Sequence, residues 1–431
     1  MHCFDWDKLL SADRLRLGDD GAPTCYTQLE VPPRTPAEAD IQRIIFSSPF
    51  RRLAGKTQVH PLAKVDYVHN RLTHSLEVAE IGAALAQRLT ARLTLRPEQI
   101  TASTLHVKAA CLGHDIGNPP YGHAGETAIQ AWVGQHLDDL GDFLAAEPSA
   151  PAPEAFLTDL RKFDGNAQAF RLLSHPAPTE SAYFRLTCAS LGALIKYPHC
   201  ANETPAAKYA CFQTARPCFD AVMTTLGLKH DGIFTRHPLS YITEIADDIC
   251  YCVTDCEDAV QMGILDKRLV HEWYLNLLEA PLADIKPGAT IAFLRARVIG
   301  DLMRCFTNDL ERAFQTPDTL ETFEHVSPTW QRLQTLKRNY KIVFEDAAKA
   351  RNELGAQAHF HRVLDAFFAV IRTLHDPAPS DALQRLRKYT FGENFITIYQ
   401  SQPTHWWLHT MLDAVTGMTD AHLHRFSDGL R

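Results

Sequence analysis

His114 and Asp115 stand side by side where an apolar helical run ends. The run from Leu105 to Gly113 predicts a helix, and Gly117 followed by two prolines predicts its end. An imidazole beside a carboxylate at a rigid chain break suits a divalent cation. The dipeptide alone is a weak indication, because two further His-Asp pairs occur in the chain.

Two further residues complete a candidate ligand set. His74 lies on the apolar stripe of a predicted helix over 73–93, and Asp247 lies inside an apolar helical run over 241–262. A hydrogen-bonded core histidine is the alternative for His74, whereas a carboxylate among buried residues needs a partner. Together with His114 and Asp115 they offer two nitrogen and two oxygen donors with coordination positions left open. Such a set favours Mn or Mg, with Fe or Ni as alternatives, over a closed structural zinc site.

His123 and Glu126 form a candidate acid–base pair. Their spacing of three places them on one face of a new helix that begins near Gly122. A histidine oriented by a carboxylate can serve as a general acid or base. The alternative is a pair that only caps the helix.

Several cations surround these residues. Arg71 shares a helix face with His74, Lys196 ends a predicted helix over 183–197, Lys208 follows, and the segment 51–58 carries three cations. The net charge is −8 and the pI is about 6.2, which argues against a basic surface for duplex nucleic acid. An anionic substrate would therefore need a local basic pocket, although each cation alone could be a solvated surface charge.

The elements that must position these residues are helices. Apolar residues recur at spacings of three and four through most of the chain, and only short segments such as 232–235 have a strand-like pattern. The chain is therefore predicted to be all-α, with long helices. The Pro/Ala-rich stretch around 146–153 predicts a flexible loop over 138–160.

Composition indicates a soluble cytoplasmic protein. Apolar residues make up 45% and charged residues 22%, and no run reaches the ~18 apolar residues of a membrane span. Eleven scattered cysteines, without paired spacing, predict free thiols in a reducing compartment. The N-terminus lacks a signal-peptide pattern.

Five segments together resemble the HD superfamily, and more narrowly its deoxynucleoside triphosphate triphosphohydrolases, the dGTPase family. They are 51–59, 69–77, 113–126, 164–168 and 236–258. The resemblance implies a multi-helix HD core over 51–265, an N-terminal segment over 1–50, and additional helices over 266–431 packed on the core. It implies one catalytic metal and hydrolysis of a dNTP, with dGTP favoured, to the deoxynucleoside and intact triphosphate. It also implies a homo-oligomer, often a hexamer.

The resemblance also assigns roles at matching positions. The proton-transfer pair is His123 with Glu126, and the metal ligands are His74, His114, Asp115 and Asp247. The substrate contacts are Gln58, Arg71, Lys196, Lys208, Tyr251 and Asp255. The three cations would hold phosphates, and Gln58 with Asp255 would hold the sugar 3′-hydroxyl. Tyr251 would pack where a ribonucleotide carries its 2′-hydroxyl.

One position departs from many relatives, which carry a second histidine where this chain has Asn118. An amide cannot transfer a proton, so that role moves to His123.

Two other functions stay open. One is another HD phosphohydrolase, such as a 5′-deoxynucleotidase or a cyclic-nucleotide phosphodiesterase. The other is a non-catalytic protein that binds nucleotides or single-stranded DNA. A dNTP or single-stranded DNA could also act as an effector.

Overall fold

The architecture was obtained as a computed structural model that describes residues 4–18, 22–28, 34–59, 68–146, 153–175, 184–203, 208–279, 285, 288–340 and 347–430. These residues form 22 α-helices and two small antiparallel sheets. The all-α prediction is therefore confirmed. No helix of the described part is both long and apolar enough to cross a membrane.

The helices, in chain order, are Trp6–Leu9 (α1), Pro36–Ile45 (α2), Ser48–Arg52 (α3), Arg71–Thr90 (α4), Pro97–Gly113 (α5), His123–Gln135 (α6), Leu137–Ala145 (α7), Pro153–Arg161 (α8), Gly165–Ser174 (α9), Cys188–Leu194 (α10), Arg216–Thr225 (α11), Pro238–Gln261 (α12), Lys267–Leu277 (α13), Ile291–Gln315 (α14), Pro317–Glu321 (α15), Phe323–Val326 (α16), Pro328–Tyr340 (α17), Ala347–Arg372 (α18), Asp381–Thr390 (α19), Glu393–Tyr399 (α20), Thr404–Thr416 (α21) and Asp420–Asp428 (α22). The strands are Arg14–Leu17 (β1), Pro23–Tyr26 (β2), Lys229–His230 (β3) and Ile233–Phe234 (β4). β1 pairs with β2, with Arg14 opposite Tyr26, and β3 pairs with β4, with Lys229 opposite Phe234.

Capping residues determine where α4 and α12, the helices that carry His74 and Asp247, begin. Asn70 and Thr73 form a reciprocal capping box at the start of α4. The His237 side chain accepts the Leu239 N–H at the start of α12, and Pro238 occupies the first helical position. These caps set the helical registers that turn His74 and Asp247 toward the same point.

The core is built from helix α4 packed against α5 and α12. The predicted stripe of α4 is buried, with Val78, Leu85 and Leu89 fully covered. The C-terminal helices continue the same hydrophobic core, because α14 and α17 pack on α12 and α18 packs on α6. The boundaries at 50 and 265 stay a prediction.

Two predicted elements differ from the structure. The flexible loop over 138–160 is wrong for most of its length, because α7 and α8 occupy 137–145 and 153–161, while residues 147–152 lie outside the described part. Leu140 and Leu144, one helical turn apart, bury α7 against its neighbours. The helix predicted over 183–197 is shorter. It begins after the Thr187 cap and ends at Leu194, because Ile195 adopts an extended conformation.

Candidate active site

Three predicted metal ligands come together from three different helices. His74 projects from α4, His114 follows the last turn of α5, and Asp247 lies in α12. The His74 Nε2 lies 3.1 Å from Asp247 Oδ1, and the His114 Nε2 lies 3.5 Å from the same oxygen. One ligand atom from each residue lies within 4.8 Å of the others, a spacing that a single divalent cation can bridge.

His114 is held in the tautomer that a metal requires. Its Nδ1 lies 2.6 Å from the Cys111 carbonyl, an acceptor, so the proton is placed on Nδ1. The Nε2 lone pair then faces the cluster, where that buried atom has no hydrogen-bond partner. This unpaired lone pair lies beside His74 and Asp247, the other two candidate metal ligands, and such an arrangement fits a bound cation.

Asp115 lies at the edge of this cluster. Its Oδ2 accepts a hydrogen bond from Arg71 at 2.7 Å, and its Oδ1 accepts one from Asn118 and lies 3.5 Å from the His114 Nε2. Burial raises the pKa of Asp115, but the positive charge of Arg71 is the largest opposing effect, and the pKa falls to about 2. Asp115 is therefore ionised at neutral pH. Its role as a fourth ligand stays a prediction.

Lys196 neutralises the outer oxygen of Asp247. Its Nζ donates to Asp247 Oδ2 at 2.6 Å, which leaves Oδ1 facing the two imidazoles. Burial alone would raise the pKa of Asp247, but the charge of Lys196 is the largest opposing effect, and the pKa lies well below its usual range. The prediction that Lys196 ends a helix is wrong, because α10 stops at Leu194 and Lys196 lies in a bend two residues later.

His123 and Glu126 form the predicted pair at the start of α6. The His123 Nδ1 lies 2.7 Å from Glu126 Oε2, while Glu126 Oε1 accepts the Gly165 N–H at 2.8 Å. Burial raises the pKa of Glu126, but the hydrogen bond and the charge of His123 bring it below its ordinary value. The His123 side chain is 80% exposed, so its Nε2 side is open to the cavity. A fixed carboxylate that orients an accessible imidazole can support proton transfer.

Gly122 makes this arrangement sterically possible. Its φ of +57° lies in the left-handed region, and a Cβ there would come within 2.5 Å of the Arg71 Nη2. The absence of a side chain lets the Arg71 guanidinium lie beneath the turn that leads into His123.

A cavity of about 620 Å³ joins the metal cluster to the acid–base pair. Its walls include ten of the predicted residues, namely Gln58, Arg71, His114, Asp115, His123, Glu126, Lys196, Lys208, Asp247 and Tyr251. His74 lies deeper, with 1% of its surface exposed. Lys208 pairs with Asp164 at 3.2 Å at the cavity wall, so it is not simply a solvated charge.

Two predictions about the surroundings need correction. Asp255 is fully buried in α12, and the described residues that line the cavity do not include it. The cluster of cations over 51–56 does not line this cavity either, in the part of the chain that the structure describes. Lys56 instead lies buried, with its ammonium bonded to the carbonyls of Asn118 and Thr416.

The structure adds residues that sequence patterns did not reveal. Asn118 donates to Asp115, and Gly165 supplies a backbone N–H to Glu126. The far wall of the cavity comes from the C-terminal third, through residues that include Trp330, Gln334 and Lys337. Lys337 donates to Asp248 at 3.1 Å across 89 residues of chain. No local motif could have predicted such a contact.

Comparison with known proteins agrees with this geometry. Residues 71–152 match the HD domain, so the fold and site define an HD-domain protein. The chain is 34% identical to a deoxyguanosinetriphosphate triphosphohydrolase-like protein of Pseudomonas aeruginosa, over 97% of each chain. It is 36% identical to one of Synechocystis, over 70% of each. It is 32% identical to the deoxyguanosinetriphosphate triphosphohydrolase of Serratia proteamaculans, over 77% of this chain and 76% of the relative. The chain belongs to the deoxyguanosinetriphosphate triphosphohydrolase family, as the sequence predicted.

Proposed function

We propose that this enzyme hydrolyses deoxynucleoside triphosphates to the deoxynucleoside and inorganic triphosphate, with dGTP as the first substrate to test. The observation that carries the proposal is the meeting of the ligand cluster, the cations and the His123–Glu126 pair in one cavity. The names of the relatives support the choice of substrate.

The ligand set accounts for the need for a metal. We propose Asp115 as a fourth ligand to the cation held by His74, His114 and Asp247, with Mn or Mg preferred and Fe or Ni as alternatives. A divalent cation bound by this cluster would supply positive charge to polarise a phosphoryl oxygen and to activate water.

The protein side chains supply binding and proton transfer. Arg71, Lys196 and Lys208 line the cavity as cations and would offset the negative charge of the triphosphate, including that on its α-phosphoryl oxygens in the transition state. Gln58 and Tyr251 stand at the wall and would hold the sugar. The direct contact proposed between Asp255 and the 3′-hydroxyl would require rearrangement, because Asp255 is buried beneath that wall.

Hydrolysis proceeds in this proposal at the α-phosphorus. The water oxygen forms the new bond to phosphorus, the bond to the 5′-oxygen breaks, and the electron pair goes to that oxygen. A proton from the His123 imidazolium completes the hydroxyl of the deoxynucleoside, and the proton lost by the water restores His123. Glu126 orients the imidazole throughout and stabilises its charged form.

Product analysis tests the proposal. Purified protein is incubated with each of the four dNTPs and Mn or Mg, and the products are separated by ion exchange. We expect deoxynucleoside and triphosphate, and we expect His114→Ala to abolish both. His230→Ala is the matched control, because His230 belongs to another His-Asp dipeptide and lies exposed in β3. Release of pyrophosphate, or turnover only of monophosphates or cyclic nucleotides, would favour a different HD phosphohydrolase. Binding without turnover would favour a non-catalytic role.

We further propose a homo-oligomer, with a hexamer as the first state to test, and a cytoplasmic location. The ten described cysteines are all free thiols, which suits a reducing compartment. Light scattering measures the oligomer, and activity with added dNTP or single-stranded oligonucleotide tests whether either acts as an effector.

A further inference from the structure

The junction between α21 and α22, near the end of the chain, contacts Thr57 and Tyr121, two residues that line the catalytic cavity. Asp420, the first residue of α22, is buried, and its carboxylate accepts two backbone N–H groups. Its Oδ2 accepts from Thr57 at 2.9 Å, and its Oδ1 accepts from Tyr121 at 3.0 Å. One side chain therefore joins two segments that are separate in sequence and adjacent at the site.

Each of these segments carries a residue of the proposed site. Thr57 directly precedes Gln58, and Tyr121 lies two residues before His123. Tyr121 has a φ of +59°, a left-handed conformation that is costly for a bulky side chain. Such a conformation persists only where the surroundings impose it. The Asp420 carboxylate is the contact that fixes the Tyr121 N–H from outside the turn.

A second contact from the same junction supports the same loop. The Lys56 ammonium, fully buried, donates to the Asn118 carbonyl at 2.7 Å and to the Thr416 carbonyl at 2.8 Å. Thr416 is the last residue of α21. Lys56 thus holds the turn over 118–122 at Asn118, and Asp420 holds it at Tyr121. Both contacts connect the turn to the junction between α21 and α22.

We propose that Asp420 is a positioning residue for the reaction. It fixes the turn at Tyr121 and thereby sets where His123 stands relative to the metal cluster and Gln58. Asp420 acts through these residues and is not itself a catalytic group, since it does not line the cavity in the described part of the chain. The proposal rests on the role of His123 in the proposed function.

Asp420→Asn tests this role, because the amide keeps one acceptor oxygen and turns an N–H donor toward the other backbone N–H. We expect kcat to fall about 10- to 100-fold through misplacement of His123. The KM should change less than about threefold, and the bound metal content should stay the same, because the ligands are untouched. Asp428→Asn is the matched control, at the exposed far end of the same helix.

A double-mutant cycle separates positioning from general damage. If Asp420 acts through His123, Asp420→Asn should cost little further activity in a His123→Ala background. Multiplied losses, or a wild-type kcat for Asp420→Asn, would overturn the proposal. A rise in KM at constant kcat would also overturn it, because the effect would then lie at Gln58. If Asp420→Asn does not fold, the same cycle is carried out with Asp420→Glu, which keeps the charge but displaces it by one methylene. The same outcomes then support or overturn the proposal. A wild-type enzyme that releases no triphosphate would instead refute the proposed function.

Discussion

Replacing Glu126 with Gln changes one interaction in the candidate site and little else. The side chains have the same shape, and Oε1 can still accept the Gly165 N–H. The other oxygen becomes an amide that cannot accept from the His123 Nδ1, at present 2.7 Å away. Glu126→Gln therefore removes the group that orients His123 without removing the imidazole.

The expected effects on stability and on rate differ strongly. His123 is 80% exposed, so solvent screens its pairing with Glu126, and the free energy of unfolding should fall by no more than about 1 kcal/mol. A positioned acid or base contributes about 100- to 10,000-fold to a rate. Because exposure leaves His123 some freedom even in the wild type, we expect the lower part of that range. A loss of about 100- to 1,000-fold in kcat corresponds to about 3–4 kcal/mol of transition-state free energy.

The assay compares kcat for triphosphate release with the melting temperature of the same preparations. Glu154→Gln is the control, an exposed carboxylate on the neighbouring helix α8. We expect a large loss of kcat with nearly unchanged melting temperature for Glu126→Gln and no change in either for the control. A kcat within about threefold of wild type would refute the reasoning. A loss of activity that only tracks a large fall in melting temperature would make the pair structural.

Three further changes test other parts of the site and fold. Lys196→Met leaves the buried Asp247 without the ammonium 2.6 Å away, so unfolding free energy should fall by about 3 kcal/mol and KM should rise at least tenfold. Denaturant titration and steady-state kinetics measure both, and wild-type values would contradict the pairing. Gly122→Ala places a Cβ against the Arg71 guanidinium at positive φ, so the melting temperature should fall and KM should rise; an unchanged KM would show that the guanidinium position is unimportant. Burial raises the pKa of Asp159 to about 7 in the folded state, whereas the unfolded state has a pKa of about 4. Between about pH 4 and pH 7, Asp159 is therefore protonated in the folded state and ionised in the unfolded state. The stability from this group is present at low pH and is lost as pH rises through about 7. Relative to wild type, Asp159→Asn should therefore gain stability between pH 4 and 7, by up to about 4 kcal/mol, and a constant difference would exclude the shifted pKa.

The sequence predicted the helices whose apolar residues recur regularly, but not every helix end. Spacing placed His74 on the buried face of α4, and a glycine followed by prolines marked the break after His114. Composition misled at α7, where nearby prolines and alanines suggested a loop although Leu140 and Leu144 already had helical spacing. The end of α10 depends on the single extended residue Ile195, which no periodicity reveals.

The chemistry of the site was predictable where residues are close in sequence, and less so where they are distant. His123 and Glu126 are three apart and contact each other as expected. Tyr121 and Asp420 lie 299 residues apart, so their contact depends on how α22 packs and has no local signature. Asp255 shows the opposite error. The family resemblance implied a contact between Asp255 and the sugar 3′-hydroxyl, but the residue is fully buried in α12.

The most direct test of the proposed reaction follows one oxygen atom. The enzyme is incubated with dGTP and Mn in water labelled with heavy oxygen, and the products are analysed by mass spectrometry. Attack of water at the α-phosphorus predicts unlabelled deoxyguanosine and triphosphate that carries one labelled oxygen. Label in the deoxyguanosine, or formation of deoxyguanosine monophosphate with pyrophosphate, would contradict the proposed reaction at this site.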